Sequence, residues 1–307
     1  MPFNDPYRAV HERCGFLDRQ DLGRLRLRGQ DRRSYLHGIL TNDIEGLAAG
    51  DRCYAALLTP QGRFITDMHV YELGDEVLIT LPRSLASAIR DRLDQFIFTE
   101  DVQVEDVTEA TAQFGVYGPE AGQTVSPFRA MPDVTVLPSR DLGIGGFEVI
   151  APSAQAGAIS RSLREAGVIE IDGATAETIR VESGIPKFLV DMTSDTIPLE
   201  AGIEERAISM TKGCYPGQEV IVRVLHRGGG RVAKKLVGLV LPVESAVPAA
   251  GERVKADDRE IGVVTSAVLS RRLGRPIALG YVHRDFVTPG TRITIGGAAA
   301  EVSALPF

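Results

Sequence analysis

The 307-residue chain is 44% hydrophobic and 24% charged, an ordinary globular composition with length enough for about two domains. Its net charge of -7, from 34 basic and 41 acidic residues, argues against a protein that coats nucleic acid or an anionic membrane. No apolar run approaches the roughly 18 residues of a membrane span, and the start MPFNDPYRAVHERCG lacks the apolar centre of a signal peptide, so a soluble, cytoplasmic protein is expected.

Along the chain, GRLRLRG (23–29) alternates as a half-buried strand would, and DRRSYLHGIL (31–40) places apolar residues at helical spacing behind a capping-type Asp31. RCYAALLT (52–59) and RFITDMHVYEL (63–73) flank Pro60-Gln61-Gly62 as a hairpin would, and EVLITL (76–81) supplies another strand. SLASAIRDRLDQFIF (84–98) predicts a helix with Leu85, Ile89, Leu93, Phe96 and Ile97 on one face, followed by the strand DVQVEDVT. A similar order recurs in AQFGVYG (112–118), TVLPS (135–139), GFEVIAP (146–152), a helix around 153–167 and VIEIDG (168–173). The repetition suggests a duplicated α+β unit, with lobes at about 1–110 and 111–230 inside one domain of 1–230. ATAETIRVESG (174–184) reads as a further helix ended by Gly184, and the long unpatterned IPKFLVDMTSDTIPLEAGIEE after it reads as a site rather than a linker. From 231 to 307, KKLVGLVL, ERVKADD, REIGVVTSAVLS, RPIALGYVHR, TRITIGG and AEVSALPF predict a small β-barrel domain.

The cysteines Cys14, Cys53 and Cys214 are far apart and form no CxxC pair, so neither a disulfide framework nor a self-contained metal site is signalled. Cys214 stands in TKGCYPGQEVIVR (211–223), two residues after Lys212. A cation and turn amides favour a thiolate, which makes Cys214 a candidate reactive or ligand-binding thiol; the alternative is a small buried cysteine in a glycine turn. His37 and His226 are candidate bases for it, although no triad order recommends them. RGGGR (227–231) lacks the Walker lysine and reads as a hinge into the barrel. The acids Glu182, Asp191, Asp195, Glu200 and Glu219 cluster around the unpatterned segment. They form either a solvated face or a recognition site for adjacent N–H donors, because a carboxylate accepts two parallel bonds from such an edge.

KGCYPGQE (212–219) followed by Arg223 closely resembles the signature of the YgfZ folate-binding family. LHGILTND (36–43), YAALLTPQGRFITD (54–67), RVESGIP (180–186), PLEAGI (198–203) and IGVVTS (261–266) stand in the family's order, so the resemblance spans nearly the whole chain. It implies a relative of the glycine-cleavage T-protein, the tetrahydrofolate-dependent aminomethyltransferase, with duplicated folate-binding lobes and a C-terminal barrel. By resemblance, Glu200 would meet the pterin's donor edge, with Glu182 or Asp191 in reserve and Arg180 and Glu219 also at the cofactor. Arg223 or Lys212 would face the anionic glutamate tail.

The aminomethyltransferases compared carry an Asp-Asp pair where this chain reads Thr66-Asp67, and the missing carboxylate counts against aminomethyl transfer. The resemblance to the YgfZ branch implies instead a folate-binding accessory protein for assembly or repair of iron-sulfur enzymes, including tRNA-modifying ones, with Cys214 and Lys212 at its centre. Partners would be folate and iron-sulfur enzymes, without direct nucleic-acid or membrane binding. The alternatives are a tetrahydrofolate-dependent one-carbon transferase using Asp67 and a non-catalytic docking module.

Overall fold

The computed structural model describes residues 5–227 and 229–307; Met1–Asn4, and Gly228 of the RGGGR stretch expected to be a hinge, lie outside them. The chain divides into two compact units. The first comprises Met1–Leu57, Thr66–Ala176 and Arg206–Tyr215, and the second Leu58–Ile65, Glu177–Glu205 and Pro216–Phe307.

In the first unit, α1 (Pro6–Glu12) starts at Asp5, whose carboxylate accepts the amides of Tyr7 and Arg8 as a helix N-cap does. β1 (Gly15–Asp18) and β2 (Leu22–Arg28) follow each other directly yet enter different sheets. α2 (Arg32–Ile39), β3 (Arg52–Leu58), β4 (Phe64–Glu72), β5 (Val77–Pro82), α3 (Ala86–Asp94) and β6 (Gln103–Asp106) complete one five-stranded sheet of order β3-β4-β5-β2-β6. β7 (Thr111–Tyr117), α4 (Ala121–Val125), β8 (Thr135–Ser139), β9 (Gly146–Pro152), α5 (Ala156–Glu165) and β10 (Ile169–Glu170) build the other, of order β10-β1-β7-β9-β8. Duplicated α+β lobes are therefore present, and the second completes itself with a strand from the start of the chain. Tyr71, Leu78 and Val107 pack with Leu137 and Ile150 in a core shared by the two lobes.

Two local expectations differ from the structure. Asp31 does not cap α2; its carboxylate accepts the amide of Asp101 instead. The helix expected to run to residue 98 ends at Asp94, so Phe96 is 46% exposed while Ile89 and Leu93 carry the buried face.

In the second unit, α6 (Gly173–Glu182), which begins in the first, runs to Gly184 at φ 65° and leads into the segment expected to be irregular. That segment holds one bridge, Phe188 to Met192, and the four-residue turns α7 (Pro198–Ala201) and α8 (Glu204–Ala207). After α9 (Gln218–Val222), β11 (Lys234–Val240), β12 (Arg253–Ala256), β13 (Arg259–Ser270), β14 (Arg275–His283), β15 (Arg292–Ile295) and β16 (Ala298–Ser303) close a barrel of order β11-β14-β13-β12-β15-β16. Its interior is filled by small and branched side chains, among them Val237, Leu239, Val254, Val264, Ala278 and Ile293. No helix among the described residues is long and apolar enough to cross a membrane.

Candidate functional site

β4 carries the candidate residues of the first unit. Its side chains alternate, with Phe64, Thr66, Met68 and Val70 buried and Asp67 and His69 partly exposed on the opposite face. Thr66 is fully buried and its hydroxyl donates to the carbonyl of Asp67. The threonine that stands where relatives carry a carboxylate therefore points away from the face on which Asp67 stands.

The Asp67 carboxylate accepts the phenol of Tyr54 at 2.7 Å. Burial pushes its pKa up to about 6, against the opposing pull of the Tyr54 hydrogen bond and of Arg206. Arg206 lies over the Tyr54 ring, 5.5 Å from its centroid, and the other neighbour of that ring is His69 at 5.0 Å. Burial depresses His69 to about 4, so the imidazole is neutral near pH 7. Its Nε2 lies 3.2 Å from Asp141, while Nδ1 is buried without a partner. Tyr54, Arg206, His69 and Asp141 were not singled out from sequence. The period of two along β4 could have found His69; the others come from a neighbouring strand, a short helix and a loop of the second lobe.

Lys212 and Cys214 do not form the thiol pair expected. The ammonium of Lys212 donates to the carbonyls of His37 and Leu40, closing the end of α2 as a cation does at a helix C-terminus, and sits 5.1 Å from the centroid of Tyr215. Burial brings Lys212 down to about 8. His37 pairs with Asp43 at 3.2 Å, and no described hydrogen bond joins Lys212 or His37 to Cys214. Cys214 is exposed, whereas the half-buried Cys53 is pushed up to about 12 by burial and Asp43. Further along the motif, Gly217 has φ 85°, and a side chain there would stand 2.6 Å from the carbonyl of Thr59 in the β3–β4 hairpin; only glycine fits. Glu219 and Arg223 pair with each other at 2.6 Å on the exposed face of α9.

The carboxylates of the second unit divide into saturated and unsaturated ones. Asp191 is fully buried and accepts Arg180 at 2.7 Å, the amide of Lys187 at 2.9 Å, and the hydroxyls of Thr265 and Ser266 at 2.5 and 2.7 Å. Arg180 is committed in turn to Glu177, Asp191, Ser266 and the carbonyl of Ile185. Glu182 accepts Ser270 and the amide of Arg272, so it anchors α6 to β13 and the turn after it. Glu200 differs: only Oε2 has a described donor, the amide of Ile197 at 3.3 Å, and burial raises its pKa. One oxygen remains for an outside donor. Among the described residues no group of His, Cys, Asp and Glu is placed to hold a metal.

Comparison with known proteins follows the same architecture. Residues 2–137 match the GCVT N-terminal domain, and residues 234–307 match the glycine cleavage T-protein C-terminal barrel domain. An aminomethyltransferase of Rubrobacter xylanophilus is 30% identical over 298 residues, covering 90% of this chain and 78% of the relative. A chloroplastic putative transferase of Arabidopsis thaliana is 28% identical, over 95% of this chain and 70% of its own length. In fold, the crystal structure of glycine cleavage system aminomethyltransferase T from Bartonella henselae superposes with a TM-score of 0.89 at 22% identity, covering 98% of this chain and 88% of that one. With its N-terminal and barrel domains both matched and an aminomethyltransferase relative at this identity, the chain belongs to the glycine-cleavage T-protein (aminomethyltransferase) family.

Proposed function

We propose that the protein is a tetrahydrofolate-dependent one-carbon transferase of the aminomethyltransferase kind, with Asp67 as its proton-handling carboxyl. The observation that carries this reading is Asp67 itself, a carboxyl held by one phenol, partly exposed, with a pKa near 6. Such a group can both release and accept a proton near neutral pH, the condition for efficient acid–base catalysis. The relatives reported above are named as aminomethyltransferases or a putative transferase, so the one-carbon reading takes precedence over the iron-sulfur reading.

Each unit, taken by itself, holds groups suited to a reduced folate. Glu200 keeps a carboxylate oxygen for a pterin's donor edge, whereas Glu182 and Asp191 are spent on internal partners. Arg223 is paired and Lys212 is bound to two carbonyls; Arg206, exposed above Tyr54, is the cation near Asp67 suited to an anionic tail. Bound reduced folate would supply the amine nitrogens that take up the one-carbon unit. Asp67 would exchange a proton there, and Tyr54 would orient its carboxyl.

Formation of methylene-tetrahydrofolate from an aminomethyl donor tests this reading. Asp67→Asn should lower kcat/KM by about 10²- to 10⁴-fold, the usual contribution of a positioned acid–base group. Wild-type protein that binds tetrahydrofolate yet is inactive with every aminomethyl donor would sink it. A second reading, folate-dependent support of iron-sulfur enzymes by the YgfZ branch, is favoured by one observation: Cys214, inside KGCYPGQE, is exposed and free. Cells lacking the protein should then lose iron-sulfur enzyme activity that wild type restores and Cys214→Ala does not; full restoration by the variant would exclude the thiol.

A further inference from the structure

Behind Asp67, the two lobes of the first unit meet in a polar seam. Asp141, in the turn after β8 of the second lobe, has a side chain only 7% exposed. Its carboxylate accepts Arg52 of β3 at 2.8 Å, faces Nε2 of His69 on β4 at 3.2 Å and lies 3.7 Å from Arg19. Arg19 also donates to Tyr117 at 3.0 Å and faces Glu148 at 3.5 Å, and Glu148 accepts Tyr117 and Gln113. Tyr71 also flanks Arg52 and Asp141. Arg19 pairs with Asp21 as well, at 3.1 Å, so the two guanidinium groups face three carboxyls, Asp21, Asp141 and Glu148. A chain of contacts joins it to Asp67: Asp141 to His69, His69 to the Tyr54 ring, and the Tyr54 phenol to Asp67.

We propose that Asp141 is a positioning residue for Asp67: from the second lobe it neutralises Arg52 and Arg19 and orients His69, so the buried cations of the seam do not act on the reactive carboxyl. The seam offers no free cation to hold Asp67 ionised. The remaining charged neighbour is Arg206, which is exposed and therefore screened by water. Burial alone would raise Asp141, yet His69, Arg19 and Arg52 together hold it well below the usual carboxylate range, so its charge is permanent at neutral pH. The neutral imidazole, with Nε2 3.2 Å from Asp141, adds no positive charge between the two aspartates. The proton state of the first lobe's carboxyl is in this way set by a residue of the second.

This inference deepens the transferase reading and rests on it only where activity is measured. The test follows the Asp67 carboxyl by 13C NMR in protein labelled at aspartate, with Asp67→Asn identifying the resonance and circular dichroism checking folding. Asp141→Asn strips the seam of one negative charge and should move the Asp67 midpoint down by about one pH unit, the scale of a nearby charge. Arg52→Gln strips one positive charge and should move it up. Both variants break the same 2.8 Å ion pair, so loss of structure alone would not shift the midpoint in opposite directions. If transfer is observed, the acid limb of kcat/KM should move with each midpoint; without any transfer, the NMR midpoints still decide. An unchanged midpoint in folded Asp141→Asn, or shifts of the same sign, would overturn the proposal. Should Asp141→Asn fail to fold, an unmoved midpoint in Arg52→Gln would overturn it equally.

Discussion

Asp67 in the first unit and Asp191 in the second are both enclosed carboxyls, but they are furnished in opposite ways. Asp191 accepts one guanidinium, one backbone amide and two hydroxyls, and its side chain has no exposed surface. Asp67 accepts one side-chain donor, the Tyr54 phenol, beside its own backbone amide, and keeps contact with solvent on the open face of β4. A carboxylate surrounded by internal donors has its acceptor capacity spent and serves the fold. One that is enclosed but short of donors is poised between two protonation states and can serve chemistry. Counting donors thus separates candidates that residue type and sequence clustering cannot.

The largest expected effect comes from breaking the saturated member. Arg180→Met would leave Asp191 buried without its counter-charge, and such uncompensated charges cost about 3–5 kcal/mol. Urea unfolding should show a loss of that order. A change under about 1 kcal/mol would mean that Thr265, Ser266 and the Lys187 amide hold Asp191 unaided, which would blur the contrast with Asp67.

A smaller effect of the opposite sign is expected at Asp67. Its folded pKa, about 6, lies above the ordinary value of 3.8, so between those pH values the folded state binds more protons than the unfolded one. Stability from this group is full below about pH 4 and is lost as the pH rises through 6, by at most about 3 kcal/mol at 1.36 kcal/mol per unit, and by less because the carboxyl touches water. Asp67→Asn, which preserves the acceptor for Tyr54, should therefore raise the melting temperature at pH 8 and leave it unchanged at pH 4. Equal effects at both pH values would show that Asp67 is not held protonated by its surroundings.

Parts of this picture can be read directly from the residues. The barrel strands are legible because Gly, Pro and Asp break the chain between short β-rich runs, and the β3–β4 hairpin because Pro60-Gln61-Gly62 lies between two alternating runs. The entry of β1 into the second sheet is not legible, since its pairing with Tyr117 and Val116 depends on residues about a hundred positions away. The end of α3 is not legible because Phe96 and Ile97 continue the helical spacing although the backbone has already turned. Asp67 and Glu200 are candidates through the family resemblance, whereas Tyr54, Asp141 and Arg206 come near Asp67 only through strand register, the second lobe and a short helix. The Lys212–Cys214 pairing failed for a related reason. Proximity in sequence placed the ammonium near the thiol, whereas the open carbonyls of α2 offered it two stronger acceptors.

Glu200 lies between the two extremes and gives the smallest change in stability. It holds one amide at 3.3 Å, a long bond, and burial already favours its neutral form. Glu200→Gln retains an oxygen acceptor for Ile197 and removes a charge the site disfavours, so stability should change by no more than about 0.5 kcal/mol, as for a substitution that breaks no buried network. Ligand binding should respond far more. A ligand specific for the folded state contributes about 2.7 kcal/mol at a hundredfold excess over Kd, enough to raise the melting temperature of wild type measurably in a tetrahydrofolate titration. With the glutamine oxygen on the Ile197 amide, the end left for the ligand is an NH2 donor where Glu200 offers an acceptor, so the folate-dependent rise should shrink or vanish in the variant. A variant that melts like wild type and still responds fully to tetrahydrofolate would return Glu200 to the structural class, beside Asp191.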